Sequence, residues 1–199
     1  MMGKELIVLS ENKMNEELTE AEIKRNKTRG FIIETIIYVA IIFTCVFIIP
    51  KYVMQRTIVD GPSMEDTLHN GDNLLVDKIS PRIGNLDRFD IIVFYPYGRD
   101  VNEYYVKRII GMPGETIQIV GSDIYINGEI LEENYGKDPI TQAGIAADPI
   151  TLADNEYFVM GDNREVSQDS RAIGPVLAEN ISGKEMIRIW PLNKFGLVD

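Results

Sequence analysis

Ser63 opens the segment "SMEDTL" (63–68), just after the turn residues Gly61 and Pro62. A serine hydroxyl attacks a carbonyl only when a neighbouring base removes its proton. The one histidine of the chain, His69, lies a few residues downstream on the same segment. A histidine base must face the serine and be oriented by a carboxylate. His69 meets that demand only through an unusual loop. The other candidate base is a lysine held neutral near pH 7, against a reference pKa of about 10.4. Burial among apolar groups supplies a shift of that sign.

Lys78 and Lys107 fall in strand-like segments. In "YYVKRII" (104–110), two-residue alternation puts Tyr105, Lys107 and Ile109 on one face. Tyr104, Val106, Arg108 and Ile110 take the other face. Lys107 therefore has an aromatic and a β-branched neighbour that can desolvate it. The same pattern also fits a strand lysine whose stem lies on the sheet and whose ammonium reaches water.

A third polar segment, "MGDNREVSQDSR" (160–171), places Asp162 and Arg164, then Asp169 and Arg171, at short spacing. Such pairs can lock a loop by charge-assisted hydrogen bonds. A locked loop could hold the Ser167 hydroxyl against a buried amine, and a solvated polar loop has the same composition. One cysteine (Cys45) and one histidine cannot build a structural zinc site, so metal chemistry would have to come from carboxylates alone; no metal or other cofactor is expected. The net charge of −11 speaks against nucleic acid as a partner, because phosphate neutralisation needs a Lys/Arg surplus.

These residues need a scaffold. "FIIETIIYVAIIFTCVFII" (31–49) carries one charge, Glu34, and has the length and apolarity of a bilayer-spanning helix. Lys24, Arg25, Lys27 and Arg29 precede it, whereas only Lys51 and Arg56 follow closely. The positive-inside rule then makes residues 1–30 a cytoplasmic tail, 31–50 a membrane anchor and 51–199 an extracytoplasmic domain. No small-x-small pattern follows the span, so it reads as a retained anchor in a cell membrane. In the tail, Thr19–Glu22 suggests a helix-capping box.

After Pro50 the chain reads as short strands: 73–79, 90–95, 103–110, 116–120, 124–131, 156–162 and 186–192. Asn127-Gly128 marks a type I′ hairpin inside one of them. Residues 132–155 lack a sustained period and read as a long loop or small subdomain away from the chemistry. Trp190 and Phe195 are read as core residues, with a bilayer surface as the alternative. The fold class expected is a mainly β domain of antiparallel sheets behind one N-terminal transmembrane helix.

"SMEDTL", "GDNLLVDK" (71–78), "YYVKRIIGMPGE" (104–115) and "GDNREVSQDSR" (161–171) occur in this order behind an anchor helix. The ordered set resembles the bacterial type I signal peptidases, membrane-bound Ser-Lys proteases that remove signal peptides from exported preproteins. The resemblance covers residues 31–199. It implies Ser63 as nucleophile, Lys107 as general base and Ser167 as the hydroxyl orienting the lysine amine. It implies Asp169 and Arg171 as a supporting ion pair, with Asp162, Asn163 and Arg164 around them. Val59, Met64, Leu68, Tyr105 and Val106 match positions of the pocket for small side chains. The Ser63 backbone N–H would bind the oxyanion, and Gly61 stands where some relatives carry a second, hydroxyl donor. The implied fold has an inserted β subdomain, at about 121–155 here. The implied partners are secretory preproteins and the lipid bilayer.

Asp66 departs from the family pattern, which has proline there. That departure motivates an alternative: an accessory factor of the same fold, assisting surface-fibre or pilus assembly with weak or absent protease activity. A self-cleaving repressor-type Ser-Lys protease would need a DNA-binding head and a basic surface, neither of which fits this composition.

Overall fold

The structure is a computed structural model and describes residues 24–101, 103–136 and 138–198. The capping box expected at Thr19–Glu22 lies outside them.

The N-terminal unit is helical. One apolar helix runs Lys24–Tyr52, with a π-helical turn at Thr44–Ile48. Its side chains from Phe31 to Phe47 are exposed, Cys45 included. An apolar helix without a buried face suits lipid better than a protein core.

The second unit is a β domain of eleven strands among the described residues. They are β1 (Met54–Ile58), β2 (Asn73–Asp77), β3 (Ile91–Phe94), β4 (Tyr105–Gly111), β5 (Thr116–Val120) and β6 (Asp123–Ile126). Then follow β7 (Glu129–Ile130), β8 (Ile150–Thr151), β9 (Glu156–Met160), β10 (Val176–Leu177) and β11 (Ile181–Trp190). Seven form one sheet in the order β1-β2-β11-β3-β4-β9-β10, and four form a second in the order β7-β6-β5-β8. Every pairing is antiparallel.

Side-chain alternation explains the layering. On β3, Ile92 and Phe94 enter one cluster with Ile109, Tyr157 and Val159. Ile91 and Val93 point the other way, onto Val59, Met64, Leu68, Leu74 and Val76. A third cluster joins Ile117, Ile119, Ile124 and Ile126 of the small sheet to Ile110, Phe158 and Met160. The small sheet is therefore packed onto the large one through a shared core. It draws on residues 116–151, beginning ahead of the 121 boundary read from the sequence.

The hairpin turn is as expected. Asn127 and Gly128 have φ of 53° and 87°, the two positive values a type I′ turn requires. The last strand begins earlier than its apolar pattern, at Ile181, and carries bulges between Glu185 and Ile187 and between Arg188 and Trp190. Trp190 and Phe195 are not core residues. They are 54% and 60% exposed, beyond the end of the apolar clusters.

Candidate active site

Ser63 sits on the irregular segment between β1 and β2, while Lys107 projects from β4, a central strand. The sheet brings them together: Lys107 Nζ donates to Ser63 Oγ at 2.7 Å and to the Val106 carbonyl at 3.1 Å. Lys107 is 4% exposed, so its head is not extended into bulk solvent. The Tyr105 ring lies 5.1 Å from Nζ on the same face. Burial pushes the lysine down to about 8, and the Asp169 and Asp162 carboxylates oppose that shift. At pH 7 about one amine in ten is then neutral, against about one in several thousand for a free lysine. A neutral amine at this separation can accept the Ser63 proton.

The acidic loop after β9 supports the pair. Asp169, fully buried, accepts from Arg171 Nε at 2.9 Å and Nη2 at 2.8 Å, and from the Gly161 amide at 3.1 Å. Asn163 donates its backbone N–H to the Ser63 carbonyl (3.1 Å) and its side chain to the Pro62 carbonyl (3.2 Å). The second pairing differs from the sequence expectation. Asp162 pairs with Arg108, not Arg164, through bonds of 3.0 and 2.8 Å. Arg108 leaves β4 on the face opposite Lys107, and its guanidinium packs 3.7 Å from the Tyr135 ring centre. A buried arginine in an apolar strand signals a buried carboxylate elsewhere; that signal stood beside Lys107 in the sequence.

Arg164 instead reaches the small sheet's trailing segment, where Glu133 accepts from both its terminal nitrogens at 2.6 and 2.9 Å. Arg171 donates to the Gln142 carbonyl at 3.3 Å. Residues 132–155 are thus tied to the site, contrary to the reading that set them apart. Removing one partner of a buried pair strands the other. Glu133→Ala should cost about 3 kcal/mol, and the double variant with Arg164→Ala less than the sum, measured by urea unfolding in detergent. Additive costs would mean that the pair is uncoupled.

Two further positions differ from expectation. The Ser167 hydroxyl is buried and has no hydrogen-bond partner among the described residues, and it is not among the acceptors of the Lys107 amine. It packs against Gly161. Leu68 is fully buried in the core and does not line the cleft. His69 takes no part: its Nδ1 lies 3.5 Å from Lys194 Nζ.

A cleft of about 340 Å³ opens over Ser63 and Lys107. Val59, Met64, Tyr105 and Val106 line it as expected, with Gly61 and, unforeseen, Thr57, Glu103 and Gln168. Gln168 accepts from Tyr105 Oη (3.2 Å) and donates to Tyr97 Oη (3.3 Å), which closes one wall. The Gly61 N–H is taken by Asn70 Oδ1 at 3.0 Å, whereas no described acceptor takes the Ser63 N–H. Asp66 is exposed and lies outside the cleft lining. A half-buried serine on a buried lysine, beneath a cleft of mixed aliphatic, aromatic and polar lining, can form and hydrolyse an acyl-enzyme.

Residues 32–190 match the family described as "Signal peptidase, peptidase S26". Signal peptidase I of Leptolyngbya laminosa is 39% identical over 74% of this chain and 74% of its own. Signal peptidase IB of Staphylococcus aureus (strain COL) is 33% identical over 82% of this chain and 92% of its own. A solved signal peptidase I from Enterococcus faecalis V583 is 34% identical, with a TM-score of 0.42 over 50% of this chain and 95% of that one.

Proposed function

Because the chain belongs to the signal peptidase family, peptidase S26, and is a serine peptidase of the signal peptidase I type that removes signal peptides, we propose how its residues divide the work. The observation that carries the reading is the 2.7 Å contact between Ser63 Oγ and the Nζ of Lys107, which is buried and fixed on β4.

Neutral Lys107 takes the Ser63 proton as Oγ attacks the scissile carbonyl of the preprotein. The tetrahedral oxyanion accepts from the Ser63 N–H, which has no other described acceptor. Lys107 then protonates the leaving amine, and the mature protein departs. Water, losing its proton to Lys107, attacks the acyl-enzyme, and the signal peptide is released with Ser63 restored. Val59, Met64 and Val106 leave room for a small side chain before the scissile bond. Asp169, Arg171, Asp162, Asn163 and Arg164 hold the loop that braces both partners.

The Lys24–Tyr52 helix serves as the anchor, with the basic run at 24–29 cytoplasmic and the β domain outside. Exposed Trp190, Leu192 and Phe195 suit a lipid interface, where aromatic side chains are enriched. The accessory-factor alternative drew on Asp66, which stands outside the cleft lining, while the dyad itself is intact.

The test is cleavage of a membrane-inserted preprotein ending in Ala before the scissile bond. Wild type should release the mature product, whereas Ser63→Ala and Lys107→Met should not. Equal processing by all three removes the dyad. Protection of the β domain from protease added to the extracytoplasmic side would overturn the orientation.

A further inference from the structure

Thr67 and Arg188 carry no role in the account above, yet two buried ion pairs from different strands meet at them. The segment bearing Ser63 has no sheet partner between β1 and β2. Its position therefore rests on core packing and on bonds from neighbours. At one end, Asn163 grips the carbonyls of Pro62 and Ser63. At the other, Thr67 Oγ1 donates to Asp162 Oδ2, and the Thr67 carbonyl accepts from Arg188 Nη2 at 3.0 Å.

Both contacts lead to fixed charges. Asp162 is held by Arg108 on β4, and Arg188, on β11, pairs with Asp72 at 3.1 Å. Arg188 is anchored in its own backbone, donating to the Gly196 carbonyl at 2.8 Å and accepting from the Gly196 N–H at 3.2 Å. The bulges flanking it re-aim its side chain off the regular β11–β2 ladder. Asp72 also accepts from the His69 N–H at 3.1 Å, so the same pair closes the end of the segment.

We propose that Thr67 and Arg188 are positioning residues that set the place of the nucleophile: the hydroxyl and the carbonyl of one threonine fix the segment to β4 and β11 at once. The proposal rests on Ser63 and Lys107 being the catalytic dyad. A shift at Thr67 passes directly to Ser63, because the Leu68 N–H bonds to the Met64 carbonyl at 2.8 Å and closes the turn between them. Threonine is required for its donor, which serine can replace and valine cannot. Valine retains the shape and removes only the bond to Asp162, which stays paired with Arg108.

Peptide turnover by the full chain in detergent tests this with Thr67→Val, Thr67→Ser and Arg188→Met. A misplacement of about 1 Å costs about 10²-fold in rate. Thr67→Val and Arg188→Met should lower kcat by about that factor, with KM changed less than about two-fold. Thr67→Ser should recover most of the loss. The midpoint of the kcat–pH curve should stay at the wild-type value, since neither change alters a charge that acts on Lys107: Asp162 keeps its charge and its pairing with Arg108. Wild-type turnover by Thr67→Val overturns the proposal, whether or not Arg188→Met folds. So does a Thr67→Ser enzyme as slow as Thr67→Val, or a loss that travels with a moved pH midpoint. If Ser63→Ala retains wild-type turnover, the dyad falls and the proposal with it. If Ser63→Ala is inactive while Thr67→Val is not, the proposal falls alone.

Discussion

Lys107→Met is expected to abolish cleavage and to make the folded domain more stable. The loss follows from chemistry: methionine cannot accept a proton, and a positioned general base is worth up to about 10⁴-fold. The gain follows from burial. The lysine is pushed from 10.5 down to about 8, chiefly because its charged form is desolvated. Between those two values the unfolded chain holds a proton that the folded one has released, so stability rises with pH across that window. Below about 8 both states are protonated and the folded state bears the full cost, about 3 kcal/mol. Methionine has a similar length and no charge to desolvate, so the variant should melt higher at pH 7 in detergent. A lower melting temperature would mean that the ammonium is stabilised where it lies. The wild-type rate should climb with pH through about 8 and then level off, as the neutral fraction saturates. A rate flat between pH 6 and 9 would remove the neutral amine from the mechanism.

Gly161→Ala should lower kcat by at least about 10²-fold. A Cβ at this position would collide with the Ser63 carbonyl oxygen and the Ser167 side chain. Residue 161 cannot back away, since its N–H donates to Asp169 and its carbonyl accepts from Arg164 Nε. The nucleophile segment must yield instead, and Ser63 Oγ leaves its place beside Lys107. Overpacking of this kind also costs stability, about 1–3 kcal/mol. Parallel peptide turnover and thermal melts would show whether activity falls further than folding. Turnover at the wild-type rate would show that the segment has room to retreat.

Much of this arrangement was legible beforehand because it depends on local chemistry. The period of two in "YYVKRII" placed Lys107 and Arg108 on opposite faces of β4, as observed. The long apolar run announced its helix, and Asn127-Gly128 announced its turn. The distribution of charge partners was not legible. Asp162 and Arg164 are near neighbours in sequence, yet each pairs with a residue on another element, Arg108 and Glu133. Sheet order decides that, and sheet order is a global property. Leu68 illustrates a subtler limit: a residue beside the nucleophile can belong wholly to the core that carries it. The hydroxyl of Ser167 was placed on the lysine by resemblance, whereas here it hydrogen-bonds neither the amine nor any other group among the described residues. The strand read at 186–192 is the end of β11, and its start at Ile181 was not legible because bulges break the alternation that strand reading depends on.

The small sheet is fastened to the catalytic loop at both arginines: Glu133 and Gly136 lie against Arg164, and Gly144 lies against the Arg171 backbone. Its modularity is consequently uneven. The Asn127–Gly128 end is exposed and can lengthen, shorten or accept a fused peptide without reaching the dyad. The stretch from 133 to 144 cannot be excised as an ornament, because its loss would leave two buried guanidinium groups short of acceptors next to the nucleophile. Variation during descent, or grafting at the bench, has one free edge to work with and one that is part of the enzyme.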